Sequence, residues 1–302
     1  MPEVKDTLKK LEELDLTSYP YYPIQELIRS LGRTGFLILT LHKGKKITRA
    51  RPGENFQMKS EVSYLPQENN TKCQRASTPY KTMFYGTVIH DDQGFEESRL
   101  IAASEVSKYL RGGKETIGIE KITFSRWAVI DYINLVVILD DKIYNTVSNN
   151  PLLKELKEAF DSFIKLTPEI EESVRLISNF FAKEFAKEDI KNEYDYFLSA
   201  IFSEIVTNEL NYDGIMYPSV QAGGQLGFNV AIKPEIVDKN LKIDLVGEST
   251  LYKKGEISLN VIDKISEFST WTYNVSSQMT TDQILQKLQI ENLDELKQKP
   301  SD

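Results

Sequence analysis

One cysteine, two histidines and no apolar run longer than five residues: each shortage removes a class of protein. Cys73 alone cannot close an internal disulfide, so a reducing cytoplasm is the expected compartment. With no His nearby in sequence, it reads as a plain loop thiol rather than a nucleophile. His42 and His90 have no metal-ligand neighbours at helical spacing, which argues against a zinc site and leaves no metal expected. The longest apolar run, Leu135-Val136-Val137-Ile138-Leu139, is far shorter than the ~20 residues of a membrane helix. The opening MPEVKDTLKKLEELD alternates in charge and lacks the apolar stretch of a secretory signal. Positive charge is also short. Lys+Arg number 37 against 45 Asp+Glu, a net charge of −8, so direct nucleic-acid binding is not expected. No Walker A sequence occurs, and Pro218-Ser219-Val220 is not a nucleophile elbow. Gly223-Gly224-Gln225-Leu226-Gly227 lacks the spacing of a dinucleotide fingerprint and reads as a turn between strands.

What is present is ordinary globular material, 40% hydrophobic and 27% charged, in a chain long enough for a sizeable core. Residues 3–15 read as a charged helix and 24–31 as a second one, after the Tyr19-Pro20-Tyr21-Tyr22-Pro23 breaker. Strands are expected at 35–41 and 47–51, the latter ended by Pro52-Gly53, with mostly loop over 54–83. Residues 97–110 read as one helix stopped by Gly112-Gly113, and 127–139 carry buried-strand chemistry. From 151 to 210 the pattern is nearly all helical, since Leu152, Leu153, Leu156, Phe160, Phe163 and Ile164 recur at three- and four-residue steps. Short strands follow at 215–217 and 228–232, then a hairpin over 241–262 turning at Lys253-Lys254-Gly255. Thr280 and Gln283 fit a capping box, and the final residues are expected to fray. Strands and helices mix without βαβ regularity, so the expected class is α+β.

Four short segments, in order, resemble the RES domain family. They are Ile47-Thr48-Arg49-Ala50-Arg51; Arg75-Ala76-Ser77-Thr78-Pro79 followed by Phe84-Tyr85-Gly86; Ala102-Ala103-Ser104-Glu105-Val106; and Asp213-Gly214-Ile215-Met216-Tyr217-Pro218-Ser219, with Asn229 ten residues later. The last is the most specific, and the match covers roughly residues 47–235. The resemblance implies an ADP-ribosyltransferase-like mixed β-sheet core and NAD as substrate. It divides the chain into a helical and strand extension (1–46), a RES-like domain (47–240, with a helical insertion over about 141–195) and a C-terminal hairpin and helix (241–302). It implies catalytic roles for Glu105, Arg49 and Ser219, and NAD-binding roles for Arg51, Arg75, Tyr85, Tyr217 and Asn229.

Each of these residues also has a plainer reading. Arg49 and Arg51 share one face of a strand and could clamp a diphosphate, or form a solvated basic edge with Lys43, Lys45 and Lys46. On a single helix over 97–110, Glu105 lies about 40° from both Ile101 and Tyr109, at the rim of an apolar face. There it could oppose positive charge developing on a ribose, or merely pair with Lys108. Tyr85 could flank nicotinamide or fill core; Ser219 could be a fixed donor at a pocket wall or part of a turn; Arg75 could be solvated. Asn229 interrupts an apolar strand and needs a partner if buried.

The expected function is therefore cleavage of the nicotinamide–ribose bond of NAD, as a glycohydrolase, phosphorylase or ADP-ribosyltransferase. The family's pairing with antitoxins adds a protein antitoxin as an expected partner, with a homo-oligomer left open and no membrane association. The alternative is a RES-like module that binds a nucleotide or partner without turnover, motivated by Gln74 standing where the family has glycine.

Overall fold

The computed structural model describes residues 2–32, 35–90, 94–145, 149–188, 190–219, 227–267, 274–275 and 279–297. Residues 223–226 of the turn expected over 223–227, and the final residues expected to fray beyond 297, lie outside these. Among the described residues ten strands form one open sheet: β1 (Leu37–Leu41), β2 (Lys46–Pro52), β3 (Phe84–Val88), β4 (Ile117–Val129), β5 (Ile133–Val137), β6 (Gly214–Pro218), β7 (Phe228–Ile232), β8 (Leu241–Lys254), β9 (Ile257–Glu267) and β10 (Asn274–Val275). Their spatial order is β1-β5-β6-β7-β3-β2-β4-β8-β9-β10. Every pairing is antiparallel except β5 with β6. The chain is thus mixed α and β on a mostly antiparallel sheet.

Ten α-helices accompany it among the described residues: α1 (Pro2–Glu12), α2 (Tyr21–Ser30), α3 (Phe95–Val106), α4 (Lys108–Arg111), α5 (Asp141–Asn145), α6 (Pro151–Leu166), α7 (Glu171–Phe185), α8 (Phe197–Glu204), α9 (Pro234–Asn240) and α10 (Thr281–Leu288). Helices α1, α2, α7 and α8 share a core with Val136, Ile215, Tyr217 and Ala231 on one face of the sheet. On the other face, α6 and α9 pack with Phe84, Trp127, Met216, Val230 and Ile243. The helical stretch 151–204 therefore contributes to both cores of the sheet. Among the described residues, no helix is long and apolar enough to cross a membrane.

Several boundaries differ from those expected. Pro23 does not precede the second helix but sits in its first turn, where a missing N–H leaves no intrahelical bond unmade. The expected helix over 97–110 is two helices, because Ser107 adopts an extended conformation (φ −79°, ψ 119°) and its hydroxyl caps α4 by accepting from Leu110 N. The buried run over 127–139 is the end of β4, a turn and β5; the polar residues of 117–126 hide the first ten residues of that 13-residue strand. The capping box is present, with Gln283 N donating to Thr280 Oγ1 and Thr280 N donating to Gln283 Oε1. Cys73 is buried in the core, which pushes its thiol up to about 12.

Candidate functional site

The sheet nearly parts between β2 and β3. Only Thr48 and Thr87 pair across that boundary, whereas β2 pairs with β4 along all seven of its residues. Beyond this point the Tyr85 carbonyl faces β2 without a ladder partner, and Arg49 Nη1 donates to it at 2.7 Å. Gly86 allows the close approach at the junction: a Cβ there would lie 2.5 Å from Ile47 Cγ2. The parted strands open a cavity of about 370 Å³, within the range of small-molecule sites.

Seven of the eight residues singled out from sequence line this cavity: Arg49, Arg51, Arg75, Tyr85, Glu105, Tyr217 and Asn229. The eighth, Ser219, is fully buried behind it, and its hydroxyl donates to Glu105 Oε1. The backbone holds Ser219 in place, with its N–H donating to Gly227 O at 3.1 Å across the ends of β6 and β7. Ser219 thus fixes the carboxylate from the far side. No Glu105–Lys108 pair forms: the break at Ser107 puts Lys108 on α4, with its ammonium 5.0 Å from the Tyr109 ring centre. The helical-wheel relation between Glu105 and Tyr109 fails for the same reason.

The arginines are anchored rather than solvated. Arg49 and Arg51 do share a strand face, but each ties one nitrogen to a backbone carbonyl, of Tyr85 and Glu61 respectively. Arg49 lies 5.4 Å from the Phe84 ring centre and Arg51 4.9 Å from that of Phe56. Arg75 donates to Phe185 O and Lys187 O, meeting the carbonyls at the end of α7, and lies 5.2 Å from the Tyr196 ring centre. Arg49 Nε is buried with no hydrogen-bond partner among the described residues. Burial, reinforced by the neighbouring charge of Arg51, lowers the Arg49 guanidinium to about 10. That still leaves it charged at neutral pH.

The aromatic and polar walls are equally fixed. The Tyr85 hydroxyl accepts from Ala76 N at 3.1 Å and bonds with Ser77 Oγ at 3.0 Å; burial pushes it up to about 12. Tyr217 is buried and packs its ring 4.8 Å from that of Phe185. Asn229 finds its partner in the opposite strand, where Thr87 Oγ1 donates to its Oδ1 at 3.2 Å. Sequence reasoning missed Gln74, Thr87, Arg111 and Tyr196, which also line the cavity. Arg111 carried a competing signal, since a basic residue just before Gly112-Gly113 looks like an ordinary helix terminus.

The cavity therefore holds four arginines, Arg49, Arg51, Arg75 and Arg111, and one carboxylate, Glu105. None of the four arginines forms an ion pair among the described residues. No cluster of His, Cys, Asp and Glu suited to a metal ion occurs among them either. Compared with family models, curated proteins and solved structures, the chain matches none.

Proposed function

We propose that the cavity binds NAD and that the protein cleaves its nicotinamide–ribose bond, as the resemblance to the RES family implies. The observation that carries this reading is the charge inventory: four arginines without carboxylate partners surround one carboxylate fixed by a buried hydroxyl. Guanidinium groups hold a diphosphate by charge-assisted bonds, and Tyr85 and Tyr217 offer aromatic surface to nicotinamide. An ADP-ribosyltransferase-like core belongs to the same proposal, and the parting of the sheet beside Thr48 and Thr87 supports it.

In the proposed reaction, the bond from ribose C1′ to the pyridinium nitrogen breaks, and its electron pair neutralises that nitrogen. Glu105 opposes the positive charge that develops on the ribosyl group, while Ser219 acts as a positioning residue for the carboxylate. With water as acceptor, an oxygen lone pair makes the new bond to C1′ and a proton passes to solvent, giving ADP-ribose and nicotinamide. Phosphate or a protein side chain would take the same place.

Incubation with NAD, with and without phosphate, followed by product identification, tests this. Nicotinamide release with ADP-ribose or its 1-phosphate is expected; intact NAD and no binding would overturn the reading. A binding module is the second reading, favoured by the carbonyl-tethered guanidinium groups of Arg51 and Arg75, which make a rigid clamp. Tight binding without nicotinamide release over hours would establish that module instead. If turnover occurs, unrestrained expression in the cytoplasm should arrest growth unless a partner protein acting as antitoxin covers the cavity. Normal growth and NAD levels at high expression would refute a toxin role.

A further inference from the structure

We infer that the preferred ligand is a nicotinamide dinucleotide carrying a third phosphate as a monoester, as in NADP, and that Arg111 binds that phosphate. The inference rests on the NAD-cleaving reading of the cavity and narrows its substrate. Four guanidinium groups against Glu105 leave an excess of three positive charges. The pyridinium ring of the substrate adds a fourth, and the diphosphate cancels only two. A phosphate monoester, with nearly two negative charges at neutral pH, balances the remainder.

The geometry separates Arg111 from the other three arginines. Arg49, Arg51 and Arg75 each commit at least one terminal nitrogen to a backbone carbonyl. Arg111 ends α4, is exposed, and spends only Nε, on Ser107 O at 3.4 Å. Its two terminal nitrogens have no partner among the described residues, which leaves the guanidinium fork free for a tetrahedral anion. Behind it, Gly112 N donates to Lys108 O at 3.0 Å and Thr116 N to Gly113 O at 3.1 Å. A Cβ on Gly112 would lie 2.1 Å from Thr116 Oγ1, so the chain leaves α4 by a path that a larger residue would obstruct.

The test compares kcat/KM for nicotinamide release from NAD and NADP in phosphate-free buffer at constant ionic strength, with Kd measured alongside. Wild type, Arg111→Ala and Arg111→Lys are assayed, each with a melting curve. Wild type should prefer NADP by about tenfold or more, the scale of a hydrogen bond to a charged group. Arg111→Ala should bring the ratio close to one, and Arg111→Lys should restore part of it, because a point charge replaces the fork. Equal use of the two dinucleotides, or an undiminished NADP preference in folded Arg111→Ala, would overturn the inference. So would acceleration of NAD cleavage by inorganic phosphate without any NADP preference, since free phosphate would then be the missing anion. Binding of neither dinucleotide would overturn the parent reading and this one with it; binding of both without preference would sink only this one.

Discussion

The two halves of the sheet differ in kind. On one side of the Thr48–Thr87 junction, β1, β5, β6, β7 and β3 are five residues each and contain no charged residue. Helices cover both faces, and β6 and β7 are buried along their whole length. On the other side, β4, β8 and β9 run to 13, 14 and 11 residues and are laced by charge pairs. Examples are Lys121–Asp263 at 3.1 Å, Arg126–Asp244 at 2.9 Å and Lys264–Glu248 at 2.9 Å. The few polar residues of the uncharged half are instructive. Thr40 and Asn134 bond each other at 2.8 Å, while Tyr85, Thr87, Tyr217 and Asn229 all line the cavity. One half is thus a rigid apolar frame that admits polarity mainly at the site. The other half, with α3 and α4 beside it, supplies Arg49, Arg51, Glu105 and Arg111.

That division sorts substitutions by what they damage. Tyr217→Ala, in the apolar frame, removes a ring packed against Phe185 and should cost about 3–5 kcal/mol of stability. Thermal or urea unfolding checks it, and a loss under ~1 kcal/mol would show the frame to be less rigid than its packing implies. Glu105→Gln, on the charged side, keeps shape and should leave the melting temperature nearly unchanged. Turnover of NAD should fall by roughly 10²–10³, or about 2.7–4 kcal/mol, with a much smaller change in affinity. A folded Glu105→Gln protein with wild-type turnover would remove the carboxylate from the mechanism.

The same contrast explains what could be read from the sequence. Strands of the apolar half were legible at 35–41, 215–217 and 228–232 because short, mainly apolar runs beside Gly or Asp-Gly turn signals read as strands. The first part of β4 was not, because Glu120 and Lys121 interrupt an alternation that makes sense only once Ser107 and, on β9, Asp263 supply their partners. Asn229 stood out as a polar interruption of an apolar strand, and Ser219 as a hydroxyl following Pro218 after a strand. Their partners, Thr87 and Glu105, lie 142 and 114 residues away in sequence, so the pairings had no local signal. The break at Ser107 was locally encoded, since Ser is a strong cap residue, but the helical periodicity around it masked the cap.

The junction itself is open to attack through Gly86→Ala. The added methyl would sit 2.5 Å from Ile47 Cγ2, so β2 and β3 must separate slightly or Ile47 must shift. Overpacking of this kind should cost about 1–3 kcal/mol, and the Arg49 bond to the Tyr85 carbonyl should lengthen with it. Stability and NAD affinity should therefore fall together, unlike in Glu105→Gln. Loss of one without the other would show that the parting of the strands and the ligand site are independent.

The smallest effect concerns pH, and it tests how the two halves meet at Arg49 and Tyr85. Arg49 is lowered to about 10, so the folded chain releases this proton before the unfolded chain does, and its contribution to stability rises as pH climbs above that value. Tyr85 is raised from 10.0 to about 12, so the unfolded chain ionises first and its contribution falls with pH across nearly the same window. The two contributions oppose, and the pair should alter stability little. Anion binding has no such compensation, because Arg49 loses its positive charge near pH 10 while Tyr85 is still protonated. Dinucleotide affinity should be flat from about pH 7 to 9 and weaken about twofold near pH 10, where half of Arg49 is neutral. In Tyr85→Phe the falling contribution disappears while that of Arg49 persists. The stability of this variant relative to wild type should then improve as pH rises above 10. Parallel stability curves for the two proteins through that range would mean that Tyr85 titrates normally and does not sit in the desolvated wall described above.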